Sequence, residues 1–185
     1  MVSIRDKLVL WTGEKHSGKT TSAACLVNIA RKQGFNVAGL LAHSLYRDGK
    51  LLGFDAVDLR NKTRVPLARR NTKPEKTGKF KFFQSGFKFG DDALNAEATK
   101  TADLIVIDEF GPLELNGQGW RKDIDSLIAS SNALILLVVR QELAESVWRL
   151  YADLPSRKLN AAELKSIDKV IGMLRKFYES QRETK

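Results

Sequence analysis

Gly13 and Gly18 enclose four residues and are followed at once by Lys19 and Thr20. The run Gly13-Glu14-Lys15-His16-Ser17-Gly18-Lys19-Thr20 follows a short apolar stretch, Lys7–Trp11. It opens a stretch of helix-forming residues, Ser17–Lys32, with apolar positions at Ala24, Leu26, Val27, Ile29 and Ala30. Gly34 then supplies the residue that commonly closes a helix in a left-handed turn. The order predicted is strand, glycine loop, helix. No other feature narrows the fold as much. A loop of this kind needs a strand to carry it and a helix N-terminus to face it, which points to layered α/β architecture.

The rest of the chain supplies that architecture. Asn36–Leu45 reads as a second strand, with the continuous apolar run Val37–Ala42 expected of a strand covered on both faces. Asp48-Gly49 is a hairpin signal joining it to Leu51–Leu59. Arg64–Ala68 reads as a short strand, Arg69–Lys79 as a mobile loop, and Phe80–Phe89 around Gly86 as a further hairpin. Asp91–Thr101 is a helix candidate. Leu104–Ile107 and Ala133–Val139 are buried strands. Trp120, Ile124, Leu127 and Ile128 fall on one helical face, and Glu142–Tyr151 is again helical. Asn160 and Glu163 resemble a helix start. Leu164, Ile167, Val170, Ile171, Leu174, Phe177 and Tyr178 continue as an amphipathic stripe of packing character. The expectation is one α/β domain over residues 1–185, mainly parallel, flanked by helices, with antiparallel hairpins inserted around 45–90.

The glycine loop has a specific chemistry. Its spacing is G-x-x-x-x-G-K-[ST] at every fixed position, the P-loop pattern, which arises by chance in roughly one chain in a hundred of this length. Backbone N–H groups in such a loop turn inward onto phosphate oxygens. Lys19 would reach the β- and γ-phosphates as a point charge, and Thr20 would offer its hydroxyl to Mg2+. Gly13 through Thr21 therefore form the candidate nucleotide-binding set, for a nucleoside triphosphate such as ATP or GTP.

Leu104-Ile105-Val106-Ile107-Asp108-Glu109 supplies a second part. An apolar strand ending in a carboxylate delivers it to the sheet edge where ligands bind. Asp108 is the candidate metal residue beside Thr20, and Glu109 the candidate for orienting water. Successive strand residues point to opposite faces, so the chain must turn at its end to bring both to one site. A cation is expected near the γ-phosphate. Arg140, at the end of Ala133–Val139, is the first candidate, unless it caps Glu142 or Glu145. Arg47, Arg60 and Arg64 are weaker ones.

Several runs now occur in an order that resembles a known family: the P-loop, Gly53-Phe54-Asp55-Ala56-Val57-Asp58-Leu59, Pro66-Leu67-Ala68, Gly78-Lys79-Phe80, and Val106-Ile107-Asp108-Glu109-Phe110-Gly111-Pro112-Leu113-Glu114-Leu115. The chain is similar over roughly residues 7 to 150 to the small P-loop nucleoside-triphosphatases, the type that includes the cancer-related nucleoside-triphosphatase. The resemblance implies one α/β domain that slowly hydrolyses nucleoside triphosphates with Mg2+. Lys19, Thr20, Asp108 and Glu109 fall on motif positions. Glu114 also matches, as a support for the loop after Asp108-Glu109 or as a hydrogen bond holding that turn. The family's Glu-x-Arg element after the second strand is replaced here by His43-Ser44-Leu45-Tyr46.

Charge adds a question that the motifs do not answer. The formal net charge is +9. Between Arg60 and Lys88 there are ten basic residues against one acid, Glu75, so the whole excess lies there; the other 21 basic and 21 acidic residues cancel. A solvated hairpin with alternate phenylalanines turned inward is the favoured reading. A lid over the nucleotide and a single-stranded nucleic acid site are the alternatives. The single cysteine, Cys25, excludes an internal disulfide and is expected as a small buried core residue. His16 and His43 are too few for a zinc cluster. Apolar runs are shorter than the roughly 20 residues a bilayer requires, and the charged start is unlike a signal peptide, so a soluble cytoplasmic protein is expected. Water, an acceptor nucleotide as in a P-loop kinase, or a gated protein or RNA partner all remain consistent with the residues alone. So does any oligomeric state, and no Asn-Lys-x-Asp guanine signature chooses the base.

Overall fold

A computed structural model describes residues 7–71 and 79–182. Among these residues eight strands form one mixed sheet in the order β5-β4-β3-β2-β6-β7-β1-β8. They are β1 Leu8–Gly13, β2 Val37–Arg47, β3 Lys50–Asp58, β4 Arg64–Arg70, β5 Phe80–Phe82, β6 Leu104–Phe110, β7 Leu134–Arg140 and β8 Ser156–Asn160. From β2 through β6, β7 and β1 to β8 the pairing is parallel; from β2 out to β5 it is antiparallel.

The strand alternation explains the continuous apolar runs. Val9, Trp11, Val106, Leu136 and Val138 face α1 (Lys19–Lys32) and the C-terminal helix Leu164–Arg182. Leu8, Leu10, Ile105, Ile107, Ile135 and Leu137 face the other layer, with Ile124, Leu127 and Val147 of the helices Arg121–Ser130 and Ala144–Leu150. Both faces are covered, so polar residues have no place along the central strands.

Asp48 and Gly49 have φ of 50° and 71°, as a two-residue hairpin turn demands, and join β2 to β3. The expected hairpin at Phe80–Phe89 is half right. Phe80–Phe82 pairs with β4, but Gln84–Leu94 is a helix. Phe83, Phe87 and Gly90 recur at helical spacing, and an added Cβ at Gly90 would lie 2.2 Å from Trp120 Nε1, so glycine here serves close packing rather than a turn. The helix expected at Asp91–Thr101 is the end of this one plus a short second helix, Ala96–Thr99, capped where Asn95 Oδ1 accepts the Ala98 N–H at 2.8 Å.

Three further differences have simple causes. β8 has one buried residue, Leu159, and so lacks an apolar pattern. Cys25 is exposed on α1, because Ala23, Leu26, Val27 and Ala30 take the buried stripe. The basic loop expected at Arg69–Lys79 belongs to β4 as far as Arg70; its middle, with Lys73, Glu75 and Lys76, lies outside the described residues, as do the side chains of Phe177 and Tyr178. Among the described residues no helix is long and apolar enough to cross a membrane.

Candidate active site

The carboxyl ends of β1, β6, β7 and β8 lie along one edge, and the order places β7 between the glycine-loop strand and the acidic strand. Gly13 is in register with Arg140 on one side, and Thr12 with Asn160 on the other.

The loop is closely wound. At Gly13 an added Cβ would stand 2.7 Å from Ser17 Oγ and 3.2 Å from Lys19 Cγ, so a side chain there would push the Ser17 and Lys19 side chains aside. His16 and Gly18 both have left-handed backbones, φ 63° and 79°. Ser17 N–H donates to the Glu14 carbonyl at 3.1 Å, and Lys19 Nζ donates to the same carbonyl at 2.6 Å, so the ammonium spans the loop. α1 begins without a side-chain cap and without an acid in its first turn. Its first N–H groups and dipole therefore face the loop, as an anion site requires. Glu14, Lys15, His16, Ser17 and Thr21 are exposed, and Thr20 is half-buried.

Asp108 is fully buried at the end of β6. Its Oδ2 accepts the Ala42 N–H at 3.2 Å, while Oδ1 is buried without a hydrogen-bond partner. Burial first, and then the Glu109 carboxylate, push Asp108 up to about 7; the Thr20 hydroxyl and the Ala42 and Glu109 amides oppose the rise. The contact with β2 gave no signal in the sequence, because it uses a backbone N–H.

Glu109 does what an adjacent carboxylate must do to reach the same site. Its φ is 69°, in the left-handed region, and the β6–β7 register shifts between Ile107 and Phe110. The turn leaves its carboxylate half-exposed, with Oε2 3.7 Å from Arg140 Nη2. Arg140 therefore faces Glu109, while Glu145 pairs with Arg149 and Lys158. Burial holds the Lys19 ammonium below its ordinary value; Glu109 pulls it back up, Arg140 adds to the lowering, and Asp108 and Glu142 pull it up again. Lys19, Asp108, Glu109 and Arg140 thus form one electrostatic group.

The weaker arginines do not join it. Arg64 and Arg69 pair with Asp55 at 3.9 and 2.7 Å. Arg60 lines a small cavity beside Val37 and Ala38, at the amino end of β2 and the opposite edge of the sheet. Arg47 ends β2 in the hairpin, opposite Lys50. Glu114 is buried in the helix Pro112–Leu115, where Oε2 accepts the Gly111 N–H at 3.0 Å and Oε1 the Trp120 N–H at 3.3 Å. It holds the loop that follows Glu109.

The donors suit Mg2+. It takes hard oxygen ligands, and commonly one or two carboxylates with substrate phosphates rather than an all-protein cage. Asp108, with Oδ1 buried and unpartnered and its carboxyl in reach of the Thr20 hydroxyl, meets that need. Among the described residues no group of three or more His, Cys, Asp or Glu is placed to hold a metal.

A family model described as NTPase matches residues 8–170. The chain belongs to this family. The nucleoside-triphosphatase THEP1 of Methanothermobacter thermautotrophicus is 32% identical over 140 residues, 73% of this chain and 78% of the relative. That of Archaeoglobus fulgidus is 31% identical, over 75% of this chain and 82% of the relative. Among solved structures, THEP1 from Aquifex aeolicus shares the fold at a TM-score of 0.68 and 17% identity, covering 90% of this chain and 98% of that one. The human cancer-related nucleoside triphosphatase does so at 0.65 and 21%, over 98% and 99%. The NTPase family match covers the glycine loop, Asp108, Glu109 and Arg140 together, and ends within the C-terminal helix.

Proposed function

We propose that the chain hydrolyses nucleoside triphosphates to diphosphate and phosphate in a Mg2+-dependent reaction, with water attacking the γ-phosphate. The observation that carries this reading is the turned backbone of Glu109, which sets a half-exposed carboxylate beside Arg140 at the edge that Asp108 and Lys19 share. The kinship with proteins named nucleoside-triphosphatases supports it.

The loop amides and the α1 N-terminus bind the triphosphate, and Lys19 neutralises its β and γ oxygens. Thr20 and Asp108 would hold Mg2+, which supplies charge neutralisation across the β- and γ-phosphates. Glu109 accepts a hydrogen bond from the attacking water and orients it in line with the γ-phosphorus. Arg140 stabilises the charge that grows on the γ oxygens. In this reading Glu109 and Arg140 hold each other in place until substrate comes between them.

Phosphate release from ATP, GTP, CTP and UTP, with and without Mg2+, tests the reading. Release should need Mg2+, vanish in Lys19→Ala, and fall at least a hundredfold in Glu109→Gln. A full rate in Glu109→Gln would remove the water-orienting role. Diphosphate production that requires an added nucleoside monophosphate would replace hydrolysis by phosphoryl transfer.

A further inference from the structure

A cavity of about 260 Å3 lies at the amino ends of β2 and β6, on the opposite edge of the sheet from the glycine loop. Arg31, Arg60 and Lys62 line it, with Asn36 and Thr101 as uncharged polar neighbours and no acid on its walls. We propose that it is a second anion site, which takes a phosphate dianion, either free or carried by a small phosphomonoester. Nothing in it depends on the hydrolytic reading.

The three cations come from separate stretches of chain. Arg31 stands in the last turn of α1; Arg60 and Lys62 stand in the turn that joins β3 to β4. Like charges gathered on one wall repel, so folding alone gives no reason to bring them together. Among the described residues none of the three makes an ion pair. Two acids lie close by in the chain, and both are engaged elsewhere. Asp58 accepts the Arg60 N–H and Asn61 Nδ2, each at 2.8 Å, and Asp103 accepts the Asn36 N–H at 2.7 Å. Burial disfavours the Arg31 cation, and Asp58 opposes that effect. A bound anion would oppose it further.

The wall is also fixed before any ligand arrives. The Leu59 N–H donates to the Gly39 carbonyl, the Asp58 N–H to the Thr63 carbonyl and the Lys62 N–H to the Asp58 carbonyl, each at 2.9 Å. Arg31 Nη2 donates to the Leu59 carbonyl, which ties α1 to the turn at the cavity. The other guanidinium N–H donors are left for a ligand. Lys62 holds a left-handed backbone, φ 59°, which sets where its side chain departs. A wall already in place spares the cost of ordering it on binding.

The chemistry of the lining selects the ligand. Guanidinium groups present forked N–H donors that match phosphate oxygens, and an ammonium adds a compact charge. The Asn36 and Thr101 side chains are exposed and add neutral polar groups. The volume lies below the roughly 300 Å3 at which sites for larger ligands begin, so a small ion or a single phosphate group fits.

The test titrates inorganic phosphate into the full chain carrying Lys19→Ala, at constant ionic strength, and follows the backbone amide NMR signals. That substitution weakens phosphate at the glycine loop and leaves the far edge alone. Signals of Asn36, Arg60 and Lys62 should shift along a saturating curve, separate from any response of Gly13–Thr20. Arg60→Gln and Lys62→Asn should each raise the half-saturating phosphate concentration several-fold, and together at least tenfold. Asparagine tolerates the left-handed backbone at position 62, and no ion pair is lost, so the melting temperature without phosphate should hold or rise. 5′-AMP separates the two sources: binding tighter than phosphate assigns the site to a phosphomonoester, and equal or weaker binding assigns it to the free ion. Shifts that grow linearly with phosphate, that chloride reproduces at equal ionic strength, or that survive the double substitution overturn the site.

Discussion

Arg140 and Glu109 leave different strands, yet Nη2 of one comes within 3.7 Å of Oε2 of the other across the carboxyl edge of the sheet. The two side chains are 35% and 43% exposed. Ion pairs this open contribute about 0–1 kcal/mol to stability. Arg140→Ala should therefore move the urea midpoint little, while phosphate release falls about a hundredfold. A large loss of stability with an unchanged rate would show the pair to be structural.

Asp108 gives a pH dependence whose sign follows from its burial. Its carboxyl stands at about 7 in the folded chain against an ordinary value of 3.8. The folded state thus favours the protonated form: that contribution is full below the ordinary value and is lost as pH rises through about 7. Without Mg2+, the wild-type melting temperature should fall from pH 5 to pH 8 by more than that of Asp108→Asn. Added Mg2+ at pH 8 should restore the wild type and leave Asp108→Asn unmoved. Parallel melting curves at both pH values would contradict this.

Glu114 is a second buried carboxylate, pushed up by burial and held down by the amides of Gly111, Glu114 and Trp120. Glu114→Ala leaves the Gly111 and Trp120 N–H groups without an acceptor, at a cost of about 1–3 kcal/mol. Because Gly111 lies two residues past Glu109, kcat should fall while KM changes little. Glu114→Gln, which keeps one acceptor, should lie between. Unfolding and steady-state kinetics on the same preparations separate the two effects.

Cys25 is exposed on the solvent face of α1. A maleimide should label the native protein to one equivalent without denaturant, at a rate near that of the unfolded chain. Protection by native structure would place the thiol inside.

The parts legible in the sequence are those whose geometry is local. Gly13–Thr20 carries its loop in its own spacing, and Leu104–Ile107 and Ala133–Val139 carry theirs in apolar runs that both faces of a sheet demand. Gln84–Leu94 misled because Gly86 reads as a turn residue until the helix is seen packed closely on Pro66 and Leu67. β8 was invisible because an edge strand with one buried side chain has no periodicity to read. At the site, residue types were legible and arrangement was not. The left-handed turn at Glu109, the unpartnered Asp108 oxygen and the facing of Arg140 to Glu109 all depend on β6 and β7 lying side by side.

Left-handed backbones at His16 and Glu109 and a carboxyl buried at Asp108 have something in common. Each works against folding, by on the order of 1–3 kcal/mol for a strained backbone. Substitutions that relieve any of them are steps toward a tougher chain. This edge of the sheet is thus held open against the chain's own folding preference, and stability gained by relaxing it comes out of the groups that would meet the phosphates.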